Sequence, residues 1–309
     1  MIWGFTLVHV TRPSSYLKQE YLTSKGFEAK DVMSCKKYLK MVEEHGLRRP
    51  RPVYTAAWLV IGNERKAKVS RQDKYTISEQ LCVAALDLND VKTAKSIVGQ
   101  LSVAFPKSVR VGKLEAMCME AEEKWDEAIK KYDELLERAP AEQRVMKRKA
   151  AAYRAQGRTA QAIDELVKYL DTFMADFEAW EELAKLYTES HMYKQAVFCW
   201  EEVIAAQPQM HYHHRRIAEV YYTLGGEDNL RAAKKYYAAA VDMSNATDAR
   251  ALYGLALVGE RLKKFEGKRG FDEGEIGEDL SASARQFLHK LYGAANKELL
   301  PVVEKVMKL

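Results

Sequence analysis

Proline and glycine are scarce in this chain of 309 residues, seven and sixteen respectively, so little in it interrupts helices. The four cysteines, Cys35, Cys82, Cys118 and Cys199, lie far apart with no CxxC spacing. That excludes a disulfide framework and fits buried thiols in a reducing compartment. Long apolar runs are missing as well. The most apolar stretches, Met1–Val10 and Val53–Gly62, fall short of the roughly 20 residues that cross a bilayer. No basic segment followed by a long apolar core and a small-residue cleavage site opens the sequence, so no signal peptide is expected. The reading is a soluble, cytoplasmic protein.

Charge of one sign is not in large excess. The net charge of +5 and pI near 8.8 are mildly basic, without the dense basic stripes and interleaved aromatics of nucleic-acid binders, and no nucleic-acid partner is expected. Catalytic signatures are missing too. There is no Ser/His/Asp arrangement, no Gly-rich phosphate loop and no HExxH helix, and the glycines around Phe271 contain no GxGxxG. His211, His213 and His214 form an HxHH run that matches no standard zinc spacing and has no cysteine or carboxylate spaced to join it. The expectation is a non-enzyme with no metal and no cofactor.

What is present is helix-forming and periodic. Ala, Leu, Glu and Lys dominate the middle of the chain. Ala94, Ala128, Ala162 and Ala196 follow one another at intervals of 34, and Ala233 follows after 37, with Gly225–Gly226–Glu227 supplying the extra residues. Pro106, Pro140 and Pro208 keep the same register, with Met174 where another would stand. In the best unit, Trp180, Leu183 and Tyr187 lie three and four apart on one face of a first helix. Ala184 and Ala196 keep the crossing to a second helix thin, and Trp200, Val203 and Ile204 carry its apolar stripe. A helix-pair period of 34 is that of the tetratricopeptide repeat. One repeat cannot bury its own apolar face, so neighbours must stack. The predicted fold is all-α: a tetratricopeptide-repeat α-solenoid, a right-handed superhelix of helix pairs with an open concave surface suited to binding other proteins.

The register predicts repeats at 75–108, 109–142, 143–176, 177–210 and 211–247, with a degenerate unit at 248–265. Residues 1–26 show no period and are expected to be divergent and flexible. Residues 27–74 are expected to hold capping helices and a basic loop at Glu64–Lys74, after a proline-broken turn at His45–Pro52. Residues 266–280 read as a Gly-rich acidic loop and 281–309 as two closing helices.

In this kind of repeat the first helix presents positions 2, 5, 6, 9 and 12 to the concave side. Here these include Arg144, Lys147, Arg148 and Arg154 in the third unit, Glu178, Glu181 and Glu182 in the fourth, and Tyr212, Arg215, Arg216 and Tyr222 in the fifth. The expected groove is banded basic, acidic, basic, which suits a structured partner of matching charge.

The stretches Glu79–Asp87, Lys147–Ile163, Ala179–Val203 and Ala218–Tyr237, the last with its Gly225–Gly226 insertion, resemble the family of subunit 2 of the ER membrane protein complex. That resemblance implies a cytosolic scaffold, peripheral on the cytosolic face of the ER membrane and part of a hetero-oligomer. Such a protein grips cytosolic segments of membrane-embedded subunits in a complex that inserts tail-anchored and multipass proteins. It also implies contact roles for Lys147, Arg148 and Lys149. Reversing the charge of Lys147 and Arg148 is then expected to weaken partner capture while leaving helicity intact. The alternative is a peptide-binding adaptor or co-chaperone, but the residues that would clamp a C-terminal carboxylate are replaced by Ala151 and Glu182.

Overall fold

A computed structural model describes residues 31–266 and 274–307. Residues 1–30, which include the stretch expected to be flexible, lie outside the described residues, as do 267–273 of the expected Gly-rich loop. Every regular element among the described residues is an α-helix. The chain divides into two compact units, one ending at Glu165 and the other beginning at Leu166.

The first unit contains α1 (Val32–Glu44), α2 (Pro50–Gly62), α3 (Arg71–Asp87), α4 (Val91–Ala104), α5 (Val109–Ala121), α6 (Trp125–Arg138), α7 (Gln143–Ala155) and the start of α8 (Thr159–Thr172). Side chains set several of the boundaries. Asp31 caps α1 by accepting from the Ser34 N–H at 3.1 Å, and Asp90 caps α4 by accepting from the Thr93 N–H at 3.2 Å. Ser70 and Asp73 form a reciprocal capping box, which starts α3 at Arg71, inside the stretch expected to be a basic loop. Pro50 likewise opens α2 within the expected turn, because a first-turn proline lacks only an N–H that has no helical partner there.

Cys35, Leu39, Ala56, Leu81, Cys82, Ala94 and Leu114 belong to one continuous buried cluster. Ala116, Ala128, Tyr132, Leu135 and Val145 form the next. The small residues at the crossings are fully buried, Ala94 and Ala128 at 0% exposure. Gly112 serves the same purpose in α5, since a Cβ there would stand 2.6 Å from a Leu135 methyl.

The second unit contains the rest of α8, then α9 (Phe177–Glu189), α10 (Tyr193–Ala206), α11 (His211–Leu224), α12 (Glu227–Met243), α13 (Ala249–Glu266), α14 (Gly274–Ala295) and α15 (Leu300–Met307). Trp200 is fully buried, with the Tyr212 ring edge-on at 6.4 Å. Gly225 and Gly226 take φ of +69° and +80°, a conformation that costs glycine least, and so turn α11 into α12. α14 begins at Gly274, earlier than the sequence suggested. Spaced glycines there weaken a helix without preventing it, and the apolar stripe that follows, with Ala284 and Leu288 buried, holds the helix in place.

The turn from first to second helix repeats the 34-residue interval in its backbone. Asn89, Glu123, Gly157 and His191 all adopt positive φ, between +59° and +73°, at the same place in successive repeats.

Candidate functional site

In the first unit, the α1–α2 turn and helices α3, α5 and α7 enclose an open cavity of about 640 Å³. Its wall mixes valines (Val53, Val83, Val109 and Val145) with charges. Arg48 forks onto Asp87, with Nε and Nη2 donating to the two carboxylate oxygens at 3.0 and 2.5 Å. Arg110 pairs with Glu79. Lys113, half-buried between them, makes no hydrogen bond or ion pair. Burial pushes its ammonium pKa below the ordinary value, opposed by the nearby Glu79 carboxylate. Arg144 stands exposed on the rim, also without an ion pair.

The other basic residues expected on α7 fare differently. Arg148 turns into the protein and pairs with Glu120, whose side chain is only 6% exposed. The Tyr132 hydroxyl donates to the other Glu120 oxygen at 2.7 Å. Lys149 is held by Asp133 at 2.8 Å and Glu165 at 3.1 Å, its side chain 12% exposed. Lys147 and Arg154 are half-buried and neither is a free charge. Of the basic triplet, Arg148 and Lys149 are therefore structural. Reversing Arg148 would break the buried pair, so that change is expected to cost stability as well as a surface charge.

In the second unit, Glu178, Glu181 and Glu182 lie half-buried along α9, with Glu181 paired to Lys185 at 2.8 Å. Arg215 is buried and bonded to Asp248 at 2.9 Å and Glu219 at 2.6 Å. It lies 5.1 Å from the Tyr212 ring centre, while Arg216 stacks on Trp200 at 5.7 Å and pairs with Glu219. Tyr212, Arg215 and Arg216 are thus brought together, around Trp200 and Glu219. Tyr222 lies apart from them, under Arg261 at 4.3 Å, in a cavity of about 550 Å³ that Tyr253, Leu288 and Tyr292 also line.

The three histidines face separate partners. His211 meets Asp248 at 3.3 Å, His213 meets Gln207 at 3.3 Å and His214 meets the Pro208 carbonyl at 2.8 Å. His213 and His214 are buried. Among the described residues no group of three His, Cys, Asp or Glu is placed to hold a metal ion, and no helix is long and apolar enough to cross a membrane.

Arg110, Lys113 and Glu79 escaped the sequence reading, although the signal was there. Positions 2 and 5 of the second repeat are Arg110 and Lys113, and position 5 of the first is Glu79, so the facing rule applied one and two repeats earlier finds all three. Tyr237, Tyr253 and Tyr292 carried no such signal.

Paired helices at a 34-residue interval, small residues at the crossings and open cavities beside the first helices define an all-α tetratricopeptide-repeat protein. Residues 101–228 match the family described as EMC2 TPR-like repeat domain. ER membrane protein complex subunit 2-B of Xenopus laevis is 42% identical over 193 residues, 62% of this chain and 64% of the relative. ER membrane protein complex subunit 2 of Dictyostelium discoideum is 35% identical over 182 residues, 59% of this chain and 56% of the relative. The chain therefore spans less than two thirds of the length of these relatives. The crystal structure of the C-terminal part of a TPR repeat-containing protein from Cytophaga hutchinsonii superposes with a TM-score of 0.59 at 14% identity, over 85% of this chain and 97% of that one. That likeness is one of fold. Over its repeats the chain is thus similar to the ER membrane protein complex subunit 2 family, the resemblance that the matching stretches of its sequence carry.

Proposed function

We propose that the protein is a non-catalytic scaffold on the cytosolic face of the ER membrane. There it binds cytosolic segments of membrane-embedded subunits in a hetero-oligomeric complex that inserts tail-anchored and multipass proteins. The observation that carries this reading is the family match over residues 101–228, which falls on the repeats themselves. Those repeats contribute Arg110, Lys113, Arg144 and two valines, Val109 and Val145, to an open cavity whose wall mixes charge with apolar surface. Such surfaces select a partner by charge and shape rather than by catalysis. The mechanism is positional: helices that are rigid because they stack hold several tails in fixed relation.

The test is affinity purification of the tagged chain from cells solubilised in mild detergent. A stoichiometric set of multi-spanning membrane proteins is expected in the eluate. Recovery of chaperones instead, together with affinity for free C-terminal peptides, would overturn the scaffold reading in favour of an adaptor.

A further inference from the structure

The cavity of the first unit contains a charge that the fold does not use. Two cations around it are spent internally: Arg48 on Asp87 and Arg110 on Glu79. Lys113 is not. It projects from α5 between α3 and α7, with Nζ unpaired, and Arg144 reaches the same space from the start of α7. Two carboxylates, Glu79 and Glu142, influence Lys113 without bonding it, and Arg110 already engages Glu79. Around Lys113, Arg110 and Arg144 three cations thus face two carboxylates, inside walls that also present Val83, Val109 and Val145. An ammonium in such a half-desolvated position gains more from a carboxylate than one on open surface, because its own solvation is already partly lost. The apolar side chains beside it give neighbouring hydrophobic groups somewhere to go, and a volume of about 640 Å³ admits a short stretch of polypeptide.

We propose that this cavity is a subsite for an acidic polypeptide segment of a protein partner, with Lys113 receiving a side-chain carboxylate, Arg144 guarding the rim and the valines accepting flanking apolar residues. The proposal rests on the reading of these repeats as a protein-binding surface, though not on the identity of the complex. It names Lys113, rather than the basic triplet of α7, as the anchoring charge.

The probe is a fluorescein-labelled peptide of alternating Leu and Glu, acetylated and amidated so that its only carboxylates are side chains. Its binding to the purified full chain is followed by fluorescence anisotropy. The peptide is expected to bind with Kd of about 0.1 mM or tighter, and the same peptide with Gln for Glu about 10-fold or more weaker. Lys113→Met is expected to lose about 10-fold or more for the Glu peptide while melting at or above the wild-type temperature, since it removes only an unpaired charge. Arg144→Gln, at an exposed position, is expected to lose less. No binding by the wild type, equal affinity for the Gln peptide, or a folded Lys113→Met chain that binds normally would each overturn the proposal. The Gln comparison needs no variant and so is independent of folding. If the peptide binds through Lys113 but no membrane proteins co-purify, the subsite stands and the scaffold reading falls. If membrane proteins co-purify with wild type and Lys113→Met alike and the peptide does not bind, the reverse holds.

Discussion

Arg148→Ala removes a guanidinium from inside the first unit and leaves Glu120 with no ionic partner. The Glu120 side chain is 6% exposed and that of Arg148 20%, so neither is rescued by water to any large degree. Losing one partner of a buried pair costs about 3–5 kcal/mol, most of it from the stranded charge. The lower end, about 3 kcal/mol, applies here, because Arg148 keeps some solvent and Tyr132 continues to donate to Glu120. Heat and urea unfolding followed by far-UV circular dichroism should show that loss, with a fall in melting temperature on the order of 5–10 °C. The double change Glu120→Gln with Arg148→Met should recover most of it, since the amide oxygen still accepts from Tyr132 and no charge remains buried. Lys147→Glu, one residue away, should cost no more than about 1 kcal/mol. An Arg148→Ala chain within about 1 kcal/mol of wild type, or a double variant no better than the single one, would refute the reasoning. The consequence is practical. A charge-reversed Lys147–Lys149 triplet would be destabilised through Arg148 and Lys149, so its failure to capture partners would not by itself report contact.

Burial, opposed by Arg148, raises the Glu120 carboxyl above its ordinary 4.5. A raised carboxyl holds its proton more tightly in the fold than in the unfolded chain, so its contribution is full below 4.5 and is lost as pH rises through the raised value. The deficit of Glu120→Gln should therefore be smallest at neutral pH and grow as pH falls through that value, as urea titrations across the carboxylate range can show. Asp90 behaves oppositely: the Thr93 and Tyr54 hydroxyls lower it below 3.8, so its contribution is full above that value and is lost as pH falls through the folded one. Glu123→Gly should stabilise by about 0.5–1 kcal/mol, read as a higher melting temperature, because relief of a left-handed backbone worth roughly 1–2 kcal/mol exceeds the added chain entropy. A lower melting temperature would contradict that account.

The repeat was legible because its signal is steric. A crossing between two helices admits only a small side chain, so Ala94, Ala128, Ala162 and Ala196 mark the phase without any knowledge of what surrounds them. The left-handed turns share that phase but were hidden, since Asn89, Glu123 and His191 occupy them and only Gly157 announces the conformation. The starts of α3 and α14 were missed for a different reason. Composition marked charged or glycine-rich stretches as loops, whereas a capping box at Ser70 and a buried stripe beyond Gly274 decided the helix ends. The charged face was half legible. A positional rule says which way a residue points, and one residue it named, Arg144, stands on the rim of a cavity. It does not say whether an opposite charge waits in the next repeat.

That second question has a regular answer in this protein. Arg110 reaches Glu79, 31 residues away; Arg148 reaches Glu120, 28 away; Arg158 reaches Asp126, 32 away; Arg215 reaches Asp248, 33 away. Each separation is close to one repeat, so these pairs bind successive units to one another, beside the alanines that let them approach. Charges on the first helices therefore serve stacking before they serve recognition. What a partner meets is the remainder, and in the cavity of the first unit the remainder includes Lys113 and Arg144 rather than the densest basic run. Sequence density of charge is consequently a poor guide to a binding surface on stacked repeats. The informative residue is the one whose counterpart, one repeat away, is missing.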